Sequence, residues 1–163
     1  MTSVFILLLV YQLKHFLADY PMQTSWMLGK FKEKGWVAPL AAHAGIHAAF
    51  TLVISEYFLL STRSRPSVWL PFALAAFDFA VHFSMDRLKA SPTLLGRWKP
   101  MTKVELIAAN ITATAVHIPG VERAVEGARK RIRGNTYFWW TLGLDQMVHH
   151  LTHYALIALL VFA

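Results

Sequence analysis

Four long apolar stretches, at about residues 3–20, 39–60, 68–85 and 138–162, take up about half of this 163-residue chain. Each approaches the ~20 residues that a helix needs to cross a bilayer. Hydrophobic residues make up 56% of the chain and charged residues 15%, against about 25% charged in a soluble domain. That balance excludes a disordered chain and makes a membrane protein the leading class. The first stretch reads as a retained span, because it has no basic start and no small-x-small cleavage site after it. The chain has no cysteine, which excludes disulfides, thiolate nucleophiles, cysteine-bound zinc and iron–sulfur clusters.

The tryptophans agree with these limits. Trp26, Trp36, Trp69, Trp98, Trp139 and Trp140 all fall at or beyond the ends of the stretches, where indole prefers the headgroup level. The formal net charge is +7, and its placement predicts an orientation. The first loop carries Lys30, Lys32 and Lys34, and the second carries Arg63 and Arg65. The third carries Arg87, Lys89, Arg97, Lys99, Lys103, Arg123, Arg129, Lys130, Arg131 and Arg133. With four spans, loops one and three share a side. The positive-inside rule then puts both loops in the cytoplasm, with both termini outside. Lys14, inside the first span, is expected to snorkel to the interface.

The third loop, about residues 90–137, is expected to be a cytoplasmic insertion lying on the membrane surface. Thr102 and Glu105 form a capping box. Val104, Ile107, Ala108, Ile111 and Ala115 follow at helical spacing, and Pro119-Gly120 breaks the run. Val121, Val125, Ala128 and Ile132 mark a second stripe beside Arg129, Lys130, Arg131 and Arg133. The pattern predicts two amphipathic interfacial helices attracted to anionic headgroups, with a solvated charged helix as the bland alternative. A fifth span at about 104–118 would bury Glu105, Asn110 and His117 and is disfavoured. The fold expected is therefore all-α: one polytopic domain, a four-helix membrane bundle with an interfacial third loop.

Chemistry enters through polar residues inside the apolar stretches. His15 and Asp19 lie in the first, His43 and His47 in the second, Asp78, His82 and Asp86 in the third, and Asp145 and His149 in the fourth. Each neighbouring pair is spaced i, i+4, which puts both side chains on one helix face. All four aspartates of the chain stand four residues from a histidine. In the expected topology the four sets reach similar depth near the cytoplasmic face. Ionisable groups at such depth are costly and usually partner one another inside a bundle.

Imidazole with carboxylate suits zinc, or alternatively iron, manganese or nickel. Eight candidate ligands (His15, Asp19, His43, His47, His82, Asp86, Asp145 and His149) exceed the four of one tetrahedral ion. One ion with supporting carboxylates, or two ions, would use them. Asp78, Gln146 and His153 are candidates for the supporting shell, and Arg87 and Lys89 for binding an anionic headgroup or substrate. Hydrogen bonds between helices are the bland explanation of any one pair.

At these residues the chain resembles a known family. His15-Phe-Leu-Ala-Asp19 followed by Gln23-Thr24 is similar to the opening motif of a bacterial and phage integral membrane family, domain of unknown function 3307. His43-xxx-His47, His82-Phe-Ser-Met-Asp86-Arg-Leu-Lys89 and Leu144-Asp145-Gln146-xx-His149 match its later motifs in order. The run from Gly134 to Trp140 resembles phage-borne members in particular. The resemblance implies an integral membrane protein and carries no established activity. A more distant similarity is to membrane proteins labelled metal-dependent hydrolases.

Taken together, the residues predict an intramembrane metal-dependent hydrolase of a lipid or lipid-linked (phospho)ester. Asp19, Asp86 and Asp145 are its candidate catalytic carboxylates, one of them free to act as general base. The alternative is a non-enzymatic membrane protein: a structural metal site, a divalent-cation handler or a phage factor acting on the host envelope. Polar residues clustered at one face count against transport. The partners expected are the bilayer and its anionic headgroups, with homo-oligomerisation left open. No nucleic-acid motif accompanies the basic residues, so nucleic acid is not an expected partner.

Overall fold

A computed structural model describes residues 2–62, 67–91, 94, 95, 126, 127, 130 and 133–162. Among them it is all-helical. α1 is Thr2–Asp19, a short 3-10 helix is Met27–Phe31, α2 is Val37–Thr62, α3 is Leu70–Ala90 and α4 is Thr136–Phe162. The four expected stretches are therefore four helices. The interfacial helices expected in the third loop, with their capping box at Thr102 and Glu105, lie almost wholly outside the described residues.

Local sequence sets the ends. Pro71 stands in the first turn of α3, where its missing N–H goes unneeded. Asn135 Oδ1 accepts the Phe138 N–H at 3.2 Å and so caps the start of α4. Gly35 takes φ +70° before α2, a conformation that glycine enters without a Cβ penalty. α3 runs five residues beyond its expected end at Met85 and takes Asp86, Arg87 and Lys89 into its last turns. An apolar criterion stops at charges, but the helix does not, because Asp86 finds partners inside the bundle.

Every helix buries one stripe at helical spacing. Leu7, Tyr11, Lys14, His15 and Ala18 point inward on α1, and Leu40, His43, His47, Thr51, Ser55 and Leu59 on α2. On α3 the stripe is Leu74, Asp78, His82 and Asp86, and on α4 it is Asp145, His149, His153, Leu156 and Leu160. α2 packs chiefly on α3, while α4 lies against both α3 and α1.

The interior has two storeys. At one end Leu7, Tyr11, Leu59, Leu74, Leu156, Ile157 and Leu160 form an apolar core. At the other end most of the buried side chains are polar or charged, with Ala18, Leu40, Ala44 and Ala90 among them. The outward faces are the reverse, with Phe5, Leu9, Leu13 and Phe16 exposed on α1, Val53 and Tyr57 on α2, Phe72 and Phe77 on α3, and Leu151, Tyr154 and Leu159 on α4. α1 and α2 are each long and apolar enough to cross a membrane.

Candidate metal centre

The polar storey gathers all four aspartates and seven of the eight histidines. His117 is outside the described residues. Asp19 is the focus on the α1–α2 side. Its Oδ2 lies 3.1 Å from His15 Nε2, and its Oδ1 lies 3.0 Å from His47 Nε2 and 3.4 Å from His43 Nε2. Tetrahedral zinc with ~2.0–2.1 Å bonds sets neighbouring ligand atoms about 3.3 Å apart. The Asp19–imidazole separations lie near that spacing and are also those of hydrogen bonds. His15, Asp19 and His47 offer ligand atoms all within 4.8 Å of one another. The Asp19 side chain keeps 20% of its surface open, while His47 keeps none, so the group is reached from the Asp19 side.

The α3–α4 side holds a second group. Asp86, Asp145 and His149 also present ligand atoms within 4.8 Å of one another. Here, however, cations are already in contact. Lys89 Nζ lies 2.7 Å from Asp145 Oδ2 and 3.2 Å from Asp86 Oδ1. Lys30 Nζ, brought in by the 3-10 helix, donates to Asp86 Oδ2 at 2.7 Å. His43 Nε2 joins the two groups, being 3.1 Å from Asp86 Oδ2. Gln146 donates to Asp145 at 3.2 Å.

A third group lies deeper. His15, His82 and His153 offer nitrogens within 4.8 Å of one another. His82 stacks on His47 and His149, with ring centroids 3.8 and 4.1 Å apart. Below it Asp78 Oδ2 accepts from Lys14 and Thr51, each at 2.6 Å. Both ring nitrogens of His153 and Nε2 of His82 are buried without a hydrogen-bond partner among the described residues.

One sequence expectation changes. Lys14 does not snorkel: it is buried against Asp78, because Asp78, about two turns below Asp86 on α3, needs a counter-charge and Lys14 faces it. His153, a candidate for the supporting shell, is fully buried inside the histidine cluster. Lys89, a candidate for binding an anionic headgroup or substrate, contacts Asp86 and Asp145, while Arg87, the other candidate, lies 3.7 Å over the Trp36 ring. Lys30 was missed as a site residue. Its place in the first loop gave no signal, since only the fold of the 3-10 helix against α2 brings it inward.

No family model, curated protein or solved structure matches this chain.

Proposed function

We propose that this is a polytopic membrane protein, with all four helices spanning, that uses the Asp19-centred group as a metal site for hydrolysis. The substrate class is a lipid or lipid-linked (phospho)ester. The observation that carries the reading is the convergence of His15, His43 and His47 Nε2 on one partly open carboxylate. The proposal includes membership of the membrane family its motifs resemble, which rests on those motifs alone.

His15, Asp19 and His47 would hold a divalent transition ion, zinc first and iron, manganese or nickel as alternatives. Such an ion supplies Lewis acidity and brings the pKa of a bound water down to ~7. His43 Nε2, in contact with Asp19 and Asp86, would donate to these carboxylates and orient them, leaving Asp86 as the candidate general base. Lys89, 23% exposed beside the opening, offers positive charge to an anionic ester. The apolar outer faces would set that opening at headgroup level, where a lipid phosphate arrives without leaving the bilayer.

Metal content tests this first, using protein purified in detergent without a histidine tag. Wild type is expected to carry a transition metal, and His43→Ala/His47→Ala to lose it. The metal-loaded protein is then expected to release phosphate or headgroup from mixed vesicles of phosphoester lipids. A folded wild type that takes up no added zinc, iron, manganese or nickel would sink the reading. Metal without turnover on any lipid ester would make it a structural staple.

A further inference from the structure

The three groups that could hold an ion are not equivalent. The His15–His82–His153 group competes with the Asp19-centred group for His15. It also contains no carboxylate to offset a dication in apolar surroundings. The remaining group, Asp86–Asp145–His149, has the mixed oxygen and nitrogen donors of a second metal position. Its two carboxylates already share one cation, the Lys89 ammonium, at 2.7 and 3.2 Å. Lys30 adds a second ammonium on Asp86.

We propose that Lys89 is a tethered cation occupying the place a second metal would take, so the centre binds one ion and pairs it with an ammonium. The inference rests on the metal-site reading above and fixes its stoichiometry. Two-metal hydrolases clamp the attacking and leaving oxygens between two cations. Here an ion held by His15, Asp19 and His47 would share that task with the Lys89 ammonium, and His43 contacts a carboxylate of each group. The substrate class that fits is an anionic phosphoester, one of whose oxygens accepts from Lys89. Lys89 reaches inward from the last turn of α3, and its packing beside Asp86 follows from the i, i+3 spacing.

Zinc equivalents per chain, counted after dialysis in detergent, test this. Wild type is expected to hold one, Lys89→Ala two, and Lys89→Ala/Asp145→Asn one again. Truncation leaves two buried carboxylates short of a counter-charge, so Lys89→Met, which keeps most of the stem's packing, covers unfolding of the alanine variant and is also expected to reach two. Two equivalents in wild type would overturn the inference. So would a single equivalent in folded Lys89→Met and in Lys30→Ala/Lys89→Ala, and either result leaves the metal-site reading standing. No zinc in wild type would remove that reading and the inference with it.

Discussion

Lys14 shows how strongly a buried charge depends on its partner. Its ammonium and the Asp78 carboxylate are 2.6 Å apart with almost no exposed surface. Breaking such a pair from one side leaves an uncompensated buried charge and costs about 3–5 kcal/mol, whereas removing both charges together is often neutral. Lys14→Met is therefore expected to destabilise the bundle by roughly that amount, and Asp78→Asn in the same chain to restore most of it. Thermal melting of the two single variants and the double in one detergent completes the cycle. Additive losses would show that the contact carries no coupling. The residue scale is also where sequence reading reached furthest and then stopped. The His–Asp pairs at i, i+4 were visible because a helix's own period aligns them. The lysines that neutralise Asp78, Asp86 and Asp145 were not, because each comes from another helix or loop at a separation of 56 or 64 residues in the chain, apart from the i, i+3 contact of Lys89 with Asp86.

At the scale of elements, the 3-10 helix matters more than its five residues imply. Gly29 sits so close to α2 that a Cβ there would stand 2.9 Å from Pro39 Cγ. A proline ring cannot swing away as a flexible side chain would. Gly29→Ala is expected to lift this helix off α2 and draw Lys30 away from Asp86, at a cost of about 1–3 kcal/mol typical of overpacking. A drop in melting temperature together with new accessibility of Lys30 to an amine-reactive reagent would check it. An unchanged Lys30 reactivity would place the helix's hold on the site elsewhere. No apolar run or capping signal marked residues 27–31 as an element, since its burial comes from contact with α2 and α3 rather than from periodicity. The long helices, by contrast, were legible because twenty or so apolar residues in a row leave few other structures available.

At the scale of the molecule the question is why polar residues lie inside and apolar ones outside. In water, a helix surface bearing Phe5, Leu9, Leu13 and Phe16 would aggregate, and a lipid environment removes that penalty. Among the described residues only α1 and α2 reach the apolarity of a span by themselves. α3 and α4 carry Asp78, Asp86 and Asp145 among their apolar residues, and these charges are paired inside the bundle. Counting hydropathy along the chain charges those residues to the helix, although a lipid around the bundle would not meet them. If all four helices span, Lys32 and Ser67, at opposite ends of α2, lie on opposite faces of the membrane. The chain has no cysteine, so single substitutions report cleanly. In sealed inverted vesicles, whose cytoplasmic face is outward, Lys32→Cys is expected to react with an impermeant maleimide. Ser67→Cys is expected to react only after the membrane is opened, and so is a cysteine appended after residue 163. Reaction of Ser67→Cys from the outer face of sealed inverted vesicles would overturn the orientation. Protection of Ser67→Cys together with exposure of the appended cysteine would instead mean that α3 and α4 do not both cross.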